Sequence, residues 1–203
     1  VKGRTLVLAP GCRLYAGLPK QQLKSALSRA RRVALHAGHY ANFSEGAIDQ
    51  LLRQRLQSSQ LSQLLIVTQE LQSEAGLAFG KMLRPESTEA EILEEYRVSQ
   101  HWSKQLAASW PEQVTAVSSK LAASAPLLLL DDQLFVGHYA HSPHLAPLGL
   151  WLKLDSRELG LPPAGLWQRM QGRTKVAATP WQQALYRYAD ELAQVLKQAG
   201  VQV

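Results

Sequence analysis

The sequence predicts an α/β fold: a mixed, mostly parallel sheet flanked by helices on both faces. Three observations carry this. Short apolar runs alternate with longer stretches in which apolar residues recur every three or four positions. The run 64–68 (LLIVT) follows the run 33–37 (VALHA) across a helical stretch long enough for a crossover, the pattern of a parallel βαβ unit. Residues 127–136 read as a strand of four leucines, an Asp131-Asp132 turn and a returning strand, with Gly137 at the exit. Four consecutive leucines suit a strand covered on both faces, and paired aspartates suit a tight turn.

The elements follow in order. Residues 5–9 (TLVLA) form a strand stopped by Pro10-Gly11. From Pro19, the spacing of Leu23, Ala26, Leu27 and Ala30 predicts an amphipathic helix. After VALHA comes a loop, 38–42, and Ser44 is placed to cap a helix striped by Ile48, Leu51, Leu52 and Leu56. Residues 72–87 are polar and broken by Gly76, Gly80 and Pro85, so a connecting loop is expected. Thr88 with Glu91 forms a capping box for a helix reaching about Ser109, where Pro111 stops it. Strands are expected at 113–117 and 148–154, and a short helix after Pro162-Pro163. A final helix starts at Thr179-Pro180, with Trp181, Leu185, Tyr188 and Leu192 on its apolar face and its tryptophan in the core. One domain spans 1–203, with 1–30 as an N-terminal strand-and-helix extension and 31–198 as the core.

Composition limits the function classes. With 203 residues and 46% hydrophobic content the chain supports one sizeable core. No apolar run approaches the length of a membrane span and the start lacks a signal-peptide pattern, so no membrane association and a cytoplasmic location are expected. The single Cys12 can form neither an internal disulfide nor a thiolate cage and reads as a small core residue. A net charge of +6 makes anionic partners plausible, and Lys24, Arg29, Arg31 and Arg32 near the first helix are the candidate phosphate contacts. A solvated helix face accounts for the same residues. Walker, GxGxxG and GxSxG motifs are missing, which leaves nucleotide hydrolases, Rossmann dehydrogenases and α/β-hydrolases without support.

Ligands in α/β sheets sit at the carboxyl ends of strands. Two such ends carry the same tetrapeptide: Gly38-His39-Tyr40-Ala41 and Gly137-His138-Tyr139-Ala140. Five of the six histidines, His36, His39, His138, His141 and His144, fall in these regions. His39, Tyr40, His138, Tyr139 and His141 are the candidate ligand-binding residues, and His39 and His138 face one cleft if their strands are neighbours. Imidazoles at this spacing suit acid-base chemistry or metal ligation, but the HxxH pairs lie on a loop without carboxylate or cysteine partners, so no metal and no cofactor are expected.

The order of elements, the segment LLLLDDQLFVG, the segment GLWLKLDS and the terminal helix ALYRYADELAQV resemble one half of the phospholipase D superfamily. The resemblance implies a phospholipase D-like topology, with Asp131 as the retained turn aspartate and Gly137 as the retained glycine, both structural. The family's nucleophilic histidine falls on Ser124, its phosphate-binding lysine on Pro126, its serine on His138 and its asparagine on Ala140. Without imidazole and cation a phosphohistidine mechanism has no support. What the resemblance implies is a degenerate, non-catalytic binding or sensory domain for a small anionic or polar ligand, paired as a homodimer across residues 131–144. Two alternatives stand beside it: a phosphodiesterase or other hydrolase with a displaced histidine, and a weak, sequence-independent nucleic-acid-binding module.

Overall fold

The computed structural model describes residues 5–70, 74–174, 177 and 179–201. The strands are β1 (Thr5–Ala9), β2 (Cys12–Ala16), β3 (Arg32–His36), β4 (Gln63–Gln69), β5 (Val114–Ser119), β6 (Leu127–Leu130), β7 (Gln133–Val136) and β8 (Leu150–Asp155). The helices are α1 (Lys20–Leu27), α2 (Ala41–Ser44), α3 (Ala47–Gln57), α4 (Glu74–Leu83), α5 (Glu89–Ser109), α6 (Gly165–Met170) and α7 (Pro180–Gln198). The strands form one mixed sheet in the order β1-β2-β8-β7-β6-β3-β4-β5.

The α/β class, the mixed sheet and helices on both faces are as expected, but the balance of strand directions is corrected. β3-β4 and β4-β5 are parallel, as the βαβ reading requires. The other pairings, β1-β2, β2-β8, β8-β7, β7-β6 and β6-β3, are antiparallel, so the sheet is mostly antiparallel. Fully buried parallel and antiparallel strands carry the same uninterrupted apolar runs, and direction depends on connections that hydropathy does not encode.

The alternation along each central strand separates two cores. Val33, Leu35, Leu64, Ile66, Leu128, Leu130 and Phe135 pack with Leu23 and Leu27 of α1, Leu52 and Leu56 of α3, and Trp102 and Leu106 of α5. Ala34, Leu65, Val67, Leu127, Leu129, Leu134 and Val136 pack with Leu166 and Trp167 of α6 and with Leu185, Leu192 and Val195 of α7. The four leucines of β6 are thus buried two to each side, each burial worth roughly 2 kcal/mol. Cys12 is a buried free thiol within the second core.

Other expectations change. The segment read as a loop over 72–87 contains α4; residues 72–73 lie outside the described residues. Pro10-Gly11 is a hairpin turn into β2 rather than the end of a lone strand. β1 forms a sheet edge on which Leu6, Val7 and Leu8 are exposed. The cap of α3 is Gly46 rather than Ser44, whose hydroxyl donates to the Ala41 carbonyl. A single 3-10 turn, Ala146–Leu148, precedes β8. Trp151 and Trp167 are buried, but Trp181 is 50% exposed in the first turn of α7.

The Asp131-Asp132 turn ties three elements together. Asp131 has φ 50°, a left-handed conformation that aspartate tolerates better than most residues. Its carboxylate accepts the backbone N–H groups of Arg31 at 3.0 Å and Arg32 at 2.9 Å, its carbonyl accepts the Trp167 indole N–H at 3.0 Å, and Asp132 accepts the Ala164 N–H at 2.7 Å. Replacing Asp131 by Ala should therefore cost about 1–2 kcal/mol in urea denaturation, with Asp131→Asn recovering part of it. An alanine variant as stable as the parent would remove the carboxylate from the architecture.

Candidate functional site

β3 and β7 are not neighbours; β6 lies between them and runs antiparallel to both. The carboxyl ends of β3 and β7 therefore open at the same sheet edge, and the two Gly-His-Tyr-Ala segments meet across the start of β6. Between them lies a cavity of about 370 Å³. Buried Leu128, Pro126 and Trp151 form its floor; Leu18, Phe43, Leu83 and Leu145 form apolar walls; exposed His138, His144 and Leu148 stand at its rim.

The two tetrapeptides take different roles. A Cβ at Gly137 would stand 2.8 Å from the Trp151 ring and 2.9 Å from Pro126, and one at Gly38 would stand 2.6 Å from a Leu83 methyl, so both glycines are set by close approach. Tyr40 lines the cavity by position but is 1% exposed. Its hydroxyl donates to the Val67 carbonyl at 2.7 Å and accepts the Ala37 N–H at 2.9 Å, while its own N–H donates to Ser99 Oγ. Tyr40 is a core tyrosine that belongs to the lining with its hydroxyl already committed to two backbone groups. Burial drives its phenol well above the ordinary range. The Tyr139 hydroxyl accepts the Gly38 N–H at 2.8 Å, joining the two segments, and its ring meets Phe79 of α4 edge-on at 5.5 Å. His138 is exposed at the rim, and His141 is exposed and outside the lining.

His39 is turned inward against Arg84, which follows α4. Its Nε2 lies 2.5 Å from Arg84 Nη2. An arginine only donates, so Nε2 accepts and the ring is neutral with its proton on Nδ1. Burial, and then the nearby Arg84 charge, pull the imidazole pKa down to about 3, in agreement with that geometry. Arg84 Nε is 3.1 Å from Glu95 Oε2, and Nη1 donates to the Leu83 carbonyl at 3.0 Å. His39 Nδ1 and Tyr96 Oη are buried without a hydrogen-bond partner among the described residues. Arg84 escaped the sequence reading because it fell in the expected loop; a cation between an apolar run and Pro85 is the helix-end signal that marks it.

Ser124 lies nearby, hydrogen-bonded to a carboxylate. Its N–H and hydroxyl donate to Glu191 of α7 at 2.9 and 2.5 Å, and buried His36 Nδ1 is 3.6 Å from the same carboxylate. The carboxylate, not the imidazole, touches the hydroxyl, with the imidazole behind it. Burial lowers the His36 pKa, opposed by Glu191. Asp131 sits at the other end of the sheet, remote from this edge. Among the described residues, no group of three or more His, Cys, Asp or Glu side chains is arranged to hold a metal ion.

The basic residues lie near that other end. Lys24, Arg29 and Arg31 are exposed. Arg32 is partly withdrawn, its guanidinium 5.1 Å from the centroid of Trp167 on the α7 side of the sheet, which corrects its grouping with the first helix. Arg55 is buried and donates to the carbonyls of Ser28 and Ala30, an architectural role. Arg13 and Lys153 are directly opposite one another on β2 and β8. Burial, followed by Arg13, lowers the Lys153 pKa; Arg29 acts in the same direction, and Asp155 and Glu158 oppose it.

Among the described residues, no helix is long and apolar enough to cross a membrane. No protein-family model matches the chain, and no curated protein sequence matches it. Among solved structures, the chain is similar to TrmBL2, an archaeal chromatin protein whose structure shows a novel mode of DNA binding, with a TM-score of 0.52 and 8% identity. The match covers 95% of this chain and 54% of that one, so the chain spans about half the length of the structure it matches, and the likeness is one of fold.

Proposed function

We propose that this chain is a phospholipase D-like binding or sensory domain that holds a small ligand in the strand-end cavity without turning it over. The observation that carries the reading is the cavity itself, enclosed by both Gly-His-Tyr-Ala segments and lined mainly by apolar groups. Pro126, His138 and Ala140, the positions that the resemblance assigns to the family's lysine, serine and asparagine, all line it. His39, the inward histidine, has its Nε2 lone pair committed to Arg84 and is a poor general base. Backbone amide shifts at Gly38, His138 and Tyr139 should respond to small ligands, and His138→Ala should weaken binding while leaving the melting temperature nearly unchanged. Turnover of bis-p-nitrophenyl phosphate that His138→Ala abolishes would replace this reading with the hydrolase. The resemblance adds a homodimer across residues 131–144, whose histidine-rich part is exposed.

A second reading is supported by the Arg13-Lys153 pair. Like charges opposite one another across a sheet are unfavourable for folding, and Arg29 adds a third cation, so the patch suits a phosphate backbone. The DNA binding of TrmBL2 belongs to that protein and lends this reading only a fold in common. Duplex binding through Arg13, Lys24, Arg29, Arg31 and Lys153 should fall steeply with salt, each neutralised phosphate adding about 0.9 to the log-log slope. A flat response would remove the reading.

A further inference from the structure

We propose that the cavity takes a ligand with an apolar body and a single carboxylate, and that Arg84 holds the carboxylate. This inference rests on the binding reading above. Arg84 is the one permanently charged side chain among the cavity's described lining residues, and its side chain is 11% exposed. Of the five N–H donors of a guanidinium, Nε faces Glu95, one on Nη1 goes to the Leu83 carbonyl and one on Nη2 to His39, which leaves one on each terminal nitrogen unassigned among the described residues. Two donors on one planar group match the two oxygens of a carboxylate.

The charge balance selects the head group. Glu95, the present counter-ion, does not line the cavity; its side chain is 35% exposed with Oε2 buried beside Arg84 Nε, and it keeps Nε while a ligand carboxylate takes the terminal donors. His39 accepts from Arg84 and adds no second positive charge. A dianionic phosphate would carry two charges into an apolar enclosure that holds one cation shared with Glu95, whereas a monocarboxylate carries only one. Leu18, Phe43, Leu83, Leu128, Leu145 and Trp151 supply the surface for the apolar body, and 370 Å³ lies within the range of small-molecule sites.

Calorimetric titration with octanoate, 1-octanol, acetate and inorganic phosphate tests the inference. Octanoate should bind roughly ten- to hundredfold more tightly than 1-octanol, the gain expected of a charge-assisted pair, and acetate and phosphate should bind more weakly than either. Arg84→Gln should bring octanoate down to the level of 1-octanol and leave 1-octanol unchanged; Glu95→Gln, which removes the competing carboxylate, should tighten octanoate. Arg84→Lys, which keeps the charge and loses the planar fork, should fall between and serves if Arg84→Gln does not fold. Equal binding of octanoate and 1-octanol would overturn the carboxylate head while the cavity reading stands. Acetate or phosphate matching octanoate would overturn the apolar body. No binding and no shift at Gly38 or Tyr139 with any of the four would overturn the binding reading itself.

Discussion

Acidification from about pH 6.5 to about pH 4.5 should remove roughly 2 kcal/mol of stability through His39 alone. The imidazole is 9% exposed, accepts from Arg84 and has its pKa lowered from 6.5 to about 3. Its folded pKa lies below its unfolded one, so the unfolded chain takes up the proton first. The contribution is complete above the unfolded pKa and declines as the pH falls towards the folded value, by about 1.4 kcal/mol per unit. His36, buried at 2%, shifts in the same direction and adds to the loss. Glu91 and Glu94 have carboxyls held below the ordinary carboxylate range by their hydrogen bonds to Thr88 and Arg97. Against a total of about 5–15 kcal/mol for a typical domain, the loss is readily measured. Urea denaturation across the window should show it, and His39→Asn should reduce the slope by one proton. Constant stability over the window would mean that both rings protonate in place, and the Arg84 arrangement would then be wrong.

Tyr40→Phe should cost about 2–4 kcal/mol, because one hydroxyl satisfies two buried backbone groups, the Val67 carbonyl and the Ala37 N–H. The ring still fits among Phe43 and Trp102, so the loss is one of hydrogen bonding rather than packing. Tyr139→Phe removes a single acceptor from the partly buried Gly38 N–H and should cost about 1 kcal/mol. Chemical denaturation of the two variants side by side tests whether the same tetrapeptide plays two parts. Equal losses would contradict the division into a core tyrosine and a bridging one.

α4 and β2 show why some elements were not legible. α4, EAGLAFGKML, contains Gly76 and Gly80, each costing a helix about 1 kcal/mol, so local propensity argues against it. Tertiary packing overrides that cost: a Cβ at Gly80 would lie 2.6 Å from an Ile92 methyl, so the glycine lets α4 seat on α5. β2, CRLYA, buries Cys12 on one face and Tyr15 on the other with Arg13 exposed, so it shows no two-residue alternation, and five residues after a Pro-Gly turn hold too little pattern to separate a hairpin from a loop. By contrast, the α5 capping box forms as its residues imply, with Thr88 and Glu91 satisfying each other's backbone groups, because such a cap is complete within four residues.

Periodicity and capping are short-range, which is why residues read alone placed the central hairpin, the parallel β3-α3-β4 unit and the long helices α5 and α7. Nothing local distinguishes Gly38-His39-Tyr40-Ala41 from Gly137-His138-Tyr139-Ala140. Burial of Tyr40 and His39 against exposure of His138 depends on Ser99, Val67 and Arg84, and the Gly38-Tyr139 bond spans 101 residues of sequence. Strand direction, the meeting of β3 and β7 across β6, and the placing of Arg84 over the cavity were decided by tertiary structure, since each is set by which distant surfaces bury one another.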